Sequence, residues 1–479
     1  MLITNAEIWG HGLGDVRIEN GYITELGKDL LKNDADIIDA QACALLPGLH
    51  DHHLHLLSLA ASLRSIFCGP PKVQNNDELI ELLRNSKPGE DGWVRGMGYH
   101  ESLGPDIDRH WLDQHGPDCP VRIQHRSGAA WIFNSLGLDQ LGLTKIGLKN
   151  PKSKLLLPDG FERTESGELS GRLFHMDQWL AERMPSISPS LHAVSDLLAK
   201  FGVTGLTDAT PRNGESEWAL IAAALSSGEL LQRVMLMGSE SLNGINSKNQ
   251  AIGALKIYLK ENNLPDFEDL VAKITRAHKK SRPVAFHCVT RTELIYAISS
   301  LAAADSGAGV DYGDRIEHAS ITDSDSLKLL ADQGVTVVTQ PNFIEERGDQ
   351  YLTQVEQSEQ ANLYRGSAFL EAGIPLAAGT DAPFGDPDPW KAMKAAVQRR
   401  TESGKILRES ERLTPEQALS LFLGSAGDPG GDARLIEVGQ AADLCLLNKS
   451  WSQSREELSS DLVRATFCAG KIIFLVPAD

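Results

Sequence analysis

The sequence predicts an α/β protein: a (β/α)8 TIM barrel, a small β-sandwich domain formed by both termini, and a large insertion after the first barrel strand. Three observations carry this expectation. Short apolar runs alternate with helical stretches through the middle of the chain, and eight such units close naturally into a barrel. Strand-like segments separated by tight turns occupy both ends. One stretch, residues 62 to about 195, interrupts the alternation far beyond a normal strand-to-helix connection.

Taken in order, residues 2–9, 15–19, 21–26, 35–39 and 42–46 read as short strands. Asn20-Gly21 between two of them is a strong two-residue hairpin signal. A Pro47-Gly48 turn then leads into the run that carries His53, the first barrel strand. Seven further runs, 203–208, 233–237, 254–258, 283–288, 315–319, 335–340 and 376–381, complete the set, and their apolar character suits a sheet covered on both faces. Helices are expected over 266–281, 291–304, 323–333 and 366–372, the first capped by Asp266. The chain returns to strands at 442–447, 463–468 and 471–475. The expected division is therefore 1–48 with 430–479 for the sandwich and 49–429 for the barrel, with 62–195 as an insertion or lid subdomain. That insertion carries Trp93, Trp111, Trp131 and Trp179, and long insertions of this kind usually shape an active site.

Composition narrows the function. A chain of 479 residues with 41% hydrophobic and 23% charged residues is ordinary for a globular enzyme. Its net charge of −19 argues against nucleic acid and against anionic lipid, both of which would repel it. The six cysteines are scattered without a Cys-x-x-Cys pair, which fits neither a disulfide framework nor a zinc ribbon and suits reduced thiols. The N-terminal residues lack a basic leader and an apolar core, and no apolar run approaches the roughly 20 residues of a membrane helix. A cytoplasmic protein with a small-molecule substrate is expected, and a homo-oligomer with an even number of subunits is the ordinary assembly.

The chemistry centres on His53 and His55. One residue apart on a strand, they point the same way, and neutral imidazoles converging from one side bind a transition metal. Later strand ends offer His287, His318 and Asp381 as further ligands. Lys256 lies inside an apolar strand, where a lysine requires an explanation: it is either a ligand or a salt-bridged residue at the barrel rim. His50 and His52 fall on the other alternation and read as packing residues, whereas Asp51 is placed to support the ligands by hydrogen bonding. Arg291 and Arg347 follow the fifth and seventh strands, where each would either clamp a substrate carboxylate or form a surface ion pair. His125 and Arg126 are candidate substrate contacts from the insertion. Cys288 should face away from the His287 side, which makes a thiol nucleophile improbable.

This order of ligands resembles the amidohydrolase superfamily: His-x-His on strand one, Lys on strand four, His on strands five and six, Asp on strand eight. Pro47 to His55 fits the family's Pro-Gly-x-x-Asp-x-His-x-His signature, and Ile436-Glu437-Val438-Gly439-Gln440-Ala441-Ala442-Asp443-Leu444 is similar to its C-terminal sandwich segment. The insertion and the Gly-rich stretch from Trp93 to Gly98 look like the branch containing N-substituted formamide deformylases, although residues 124–131 lack the histidine of that branch's usual Asp-Gly-His-Ala run. The resemblance implies that His53, His55 and Asp381 hold one divalent metal, most simply zinc, and that His287 and His318 hold a second. A carboxylated Lys256 would bridge the two. With Lys256 unmodified, a mononuclear site of His53, His55, His287 and Asp381 is implied instead, and His318 then orients hydroxide or substrate. The implied reaction is hydrolysis of an amide-type C–N bond, in an N-acyl or N-formyl amine, by metal-activated hydroxide, with Asp381 as general base and then general acid. Hydrolytic deamination or cyclic-amide opening would use the same metal site. A non-catalytic barrel scaffold is disfavoured because every ligand position is filled.

Overall fold

A computed structural model describes residues 1–32, 36–70, 72–89, 91–104, 106–143, 157–184, 190–304 and 312–476; residue 35 of the expected strand 35–39 lies outside them. The chain divides into two compact units, one built from Met1–Leu56 with Leu191–Asp479 and the other from Leu57–Ser190.

The first unit contains an eight-stranded, all-parallel sheet that is nearly closed, as in a TIM barrel. Its strands are β1 (Leu49–Leu54), β2 (Val203–Asp208), β3 (Arg233–Gly238), β4 (Gln250–Tyr258), β5 (Val284–Cys288), β6 (Arg315–His318), β7 (Thr336–Thr339) and β8 (Leu376–Ala378), and they pair in sequence order. The seam between β8 and β1 is drawn together just beyond β8, where the Asp381 amide donates to the His53 carbonyl at 2.7 Å and the His55 amide to the Ala382 carbonyl at 2.8 Å. Gly379 makes this approach feasible: a Cβ there would lie 2.4 Å from the His53 amide nitrogen. Five of the eight strands, β1, β2, β6, β7 and β8, are buried at every position, as a sheet covered on both faces requires. Two of the expected helix starts are capped by side chains: Asp266 accepts the Asp269 amide and Asp323 the Ser326 amide.

The two ends of the chain meet in a second eight-stranded sheet. Leu444–Leu447 pairs antiparallel with Ala44–Pro47, joining the C-terminal strands to the N-terminal ones over a core that includes Ile3, Val16, Leu45, Leu446 and Phe467. The hairpin at Asn20-Gly21 has positive φ at both residues, 51° and 86°, the backbone that this dipeptide favours.

The second unit is a six-stranded sheet whose strands run in the order Phe161–Arg163, Leu169–Phe174, Ala130–Phe133, Val121–His125, Val94–Tyr99 and Ile66–Phe67. Its tryptophans are packing residues: Trp93 is buried among Phe133, Leu138 and Leu173, while Trp131 and Trp179 lie against the same cluster.

The close approach at Gly379 yields a test. Gly379→Ala should separate β8 from β1, lowering unfolding stability by about 2 kcal/mol and impairing metal uptake at His53. An unchanged urea midpoint would contradict the close approach.

Candidate metal centre

His53 is almost wholly buried near the end of β1, and His55 follows immediately beyond it, partly open. Three imidazoles of the cluster are fixed by a hydrogen bond at Nδ1. His53 Nδ1 donates to Glu317 Oε2 at 2.5 Å, and that carboxylate can only accept. His55 Nδ1 lies 2.7 Å from Thr210 Oγ1. His318 Nδ1 lies 2.6 Å from Gln340 Oε1, whose amide is oriented by its own donation to the Val338 carbonyl. A carboxylate and an amide oxygen only accept, so in the neutral rings of His53 and His318 the proton sits on Nδ1 and Nε2 is the lone pair that binds a metal; the Thr210 hydroxyl, able to donate or accept, orients the His55 ring without setting its tautomer.

The two Nε2 atoms of His53 and His55 lie 3.4 and 3.2 Å from Asp381 Oδ1, which is buried and accepts no hydrogen bond. Two imidazole nitrogens and a carboxylate oxygen, all within 4.8 Å of one another, form a donor set suited to a divalent transition ion. Burial by itself would raise the Asp381 pKa, but the facing His53 and His55 outweigh it and keep the carboxylate ionised.

The other expected ligands adjoin this set. The His318 ring centroid is 4.9 Å from that of His53 and 4.5 Å from that of His287. Burial drives the His318 pKa down to about 3 and that of His287 well below the usual value, so both are neutral, as ligands must be. Lys256 Nζ is buried, makes no hydrogen bond, and stands 3.7 Å from Glu317 Oε1. Burial lowers its pKa to about 8.

Glu317 is the residue that sequence reasoning missed. It is fully buried and receives Arg315 through Nε at 2.6 Å and Nη2 at 3.1 Å, while the same guanidinium also donates to the His52 carbonyl. The argument that singled out Lys256 would have found it, because Arg315 and Glu317 are two alternating charges in a barrel strand that is buried throughout. Thr210 and Gln340 carried no comparable signal. Asp51 does support the ligands: fully buried, it accepts from the Thr380 amide and hydroxyl and from the His53 amide, tying β1 to the residue before Asp381. Burial raises its pKa to about 6. His50 and His52 stack on each other away from this set, with His50 Nε2 bonded to Thr207.

Backbone strain collects here. His318, Ala319 and Asp381 have φ of 71°, 45° and 55°, the left-handed region that residues with a Cβ seldom occupy. The expected strands 315–319 and 376–381 accordingly end early, at His318 and Ala378.

The remaining candidates stand as follows. Arg291 is half exposed and pairs with Asp323 at 2.7 Å. Arg347 donates to the Phe384 carbonyl and lies over the Phe343 ring, 4.0 Å from its centroid. His125 and Arg126 belong to the second unit, where His125 bonds to Ser127 and Glu101 and the Arg126 amide donates to Tyr99. His100, Glu101 and His125 form another cluster of ligand types, but Nδ1 of each histidine accepts a backbone amide, from Ser102 and Ser127. The proton then sits on Nε2, the nitrogen facing Glu101, and the cluster is a hydrogen-bonded turn. Cys288 is fully buried, and burial pushes its thiol pKa far up, which favours the protonated thiol over a thiolate.

The model of a family described as "Amidohydrolase family" matches residues 36–474. The chain is 26% identical to the N-substituted formamide deformylase of Arthrobacter pascens, across 87% of this chain and 85% of that protein. It is 23% identical to the putative amidohydrolase YtcJ of Bacillus subtilis, across 86% of each. An uncharacterized metal-dependent hydrolase from Pyrococcus horikoshii shares the fold with a TM-score of 0.75 at 20% identity, over 94% of this chain and 97% of that one.

Two measurements probe Glu317. Glu317→Ala leaves Arg315 and Lys256 buried beside no counter-charge and should cost about 3–5 kcal/mol of stability. Burial would raise the Glu317 pKa, but Arg315, Lys256 and His53 outweigh it and hold it well below the ordinary 4.5. A pKa lower in the folded than in the unfolded state gives stability that is complete above about pH 4.5 and lost as the pH falls. In metal-stripped protein, the stability gap between wild type and Glu317→Gln should therefore stay level near neutrality and narrow below about pH 4.5. A gap that widens on acidification would contradict the assignment.

Proposed function

The chain belongs to the amidohydrolase family, and from that premise we propose that it hydrolyses an amide-type C–N bond, in an N-acyl or N-formyl amine, of a small molecule. The observation that carries the reading is the convergence of His53 Nε2, His55 Nε2 and Asp381 Oδ1, with each imidazole fixed at Nδ1. The likeness to an N-substituted formamide deformylase across most of both chains favours an acyl-amine substrate over other C–N bonds.

His53, His55 and Asp381 would hold one divalent ion, zinc by the chemistry of the donors. His287 and His318 would hold a second, with Lys256 bridging as a carbamate built on its buried amine, which makes no hydrogen bond. A metal bound there supplies Lewis acidity and brings the pKa of water from 15.7 to near 7.

The chain's own groups do the rest. Asp381, ionised and without a hydrogen-bond donor on Oδ1, takes a proton from the attacking water and returns it to the departing amine nitrogen. Glu317 and Gln340 hold His53 and His318 in the orientation and tautomer that keep Nε2 facing inward, and Thr210 orients His55. Asp51 and Thr380 keep the Asp381 backbone against β1.

Protein purified with added zinc and bicarbonate should carry roughly two metals per chain, falling on Lys256→Ala. It should also release amine from members of a panel of N-formyl and N-acyl amines. Asp381→Asn should reduce turnover by at least about a hundredfold, with metal content measured alongside. Absence of bound metal after purification with added zinc and bicarbonate, or failure of the metal-loaded protein to release amine from any member of the panel, would overturn the proposal.

A further inference from the structure

The candidate ligands form an arc of rings: His55 to His53 at 5.6 Å between centroids, His53 to His318 at 4.9 Å, and His318 to His287 at 4.5 Å. Each end of the arc is closed by an aromatic ring that is open to solvent. At one end Phe384, three residues beyond Asp381, meets the His55 ring edge-to-face at 5.4 Å and is 41% exposed. At the other, Tyr258, two residues beyond Lys256 at the end of β4, lies against the His287 ring at 4.3 Å and is 51% exposed.

Single exposed apolar side chains are common and need no explanation. These two differ because they touch the terminal imidazoles of one constellation; the Lys260 ammonium lies over the Tyr258 ring, 5.5 Å from its centroid, and both side chains keep exposed surface. Both positions are also held. Arg347 donates to the Phe384 carbonyl and rests on the Phe343 ring, so the loop that presents Phe384 is tied down. Tyr258 extends the ladder of β4, where it pairs with His287 on β5.

We propose that Phe384 and Tyr258 are specificity-determining residues that receive the apolar substituents on either side of the scissile amide. The substrate class is then an amide with apolar groups on its acyl and amine sides, at least one of them aryl or branched alkyl. This deepens the proposed function and rests on it. Ligand pockets are typically apolar surfaces with a few convergent polar groups, and here the polar groups are the metal ligands themselves. Aromatic rings offset or edge-on to a substrate ring add attraction beyond the area they cover.

The test uses metal-directed probes, so that its outcome does not depend on catalysis. Calorimetry on the zinc-loaded full chain compares phenylacetohydroxamate with acetohydroxamate, which share the chelating group and differ in the apolar tail. The phenyl probe should bind at least about tenfold more tightly. That ratio should fall to about twofold or threefold in Phe384→Ala or in Tyr258→Ala, with Phe384→Leu and Tyr258→Leu as variants that keep bulk. Tyr258→Phe should preserve the ratio, because the ring face and not the hydroxyl makes the contact. A ratio unchanged in both alanine variants overturns the inference while leaving the metal centre standing. Failure of either probe to bind the zinc-loaded protein overturns the hydrolase reading and this inference with it.

Discussion

The carboxylate of Glu317 is the contact on which the rest of the site depends. It is fully buried, and a lone charge there would be prohibitively costly; Arg315 balances it through two nitrogens, and Lys256 stands close by. Its free lone pairs then turn to His53 Nδ1, fixing which ring nitrogen carries the proton. One interaction thus couples three barrel strands, β1, β4 and β6, to the tautomer of a single imidazole. The Arg315 guanidinium extends the coupling to the β1 backbone at His52. Ligand geometry and barrel packing are therefore one problem here, which explains why charged groups are accepted at the centre of an otherwise apolar sheet.

The strained positions share that logic. His318 and Asp381 sit at strand ends in a backbone conformation that costs energy for any residue with a Cβ, and both bear candidate ligand atoms. Leaving the strand early swings their side chains inward, and tertiary contacts hold them there: Gln340 on His318, and Asp51 through Thr380 beside Asp381. The rings of Phe384 and Tyr258 then stand next to the terminal imidazoles, so the polar centre is bordered by aromatic side chains.

Much of the barrel was legible in the chain because alternation and burial are local properties. The run 203–208 was bounded correctly, and the helix at Arg291–Ala304 matched residue for residue. The His53/His55 pair followed from the two-residue period of a strand, and the later ligands from their places at strand ends. What escaped was long-range. The bonds from His53 to Glu317 and from His55 to Thr210 join residues 264 and 155 apart, and no local pattern announces such a pairing. Strand ends were overrun at Ala319 and at 379–381, where the backbone turns into the left-handed region at His318, Ala319 and Asp381, a change that no local sequence pattern announces. Nor did the sequence indicate that Trp93 of the insertion would be buried among Phe133, Leu138 and Leu173.

The central claim, that this constellation binds metal through imidazole Nε2, is tested most directly by anomalous diffraction at the zinc edge from crystals of the zinc-loaded chain. The account predicts an anomalous peak about 2.0–2.2 Å from His53 Nε2, His55 Nε2 and an Asp381 oxygen, with the His53 Nδ1 to Glu317 bond intact behind it. Zinc bound through Nδ1, or found only at other residues such as His100 and His125, would contradict it.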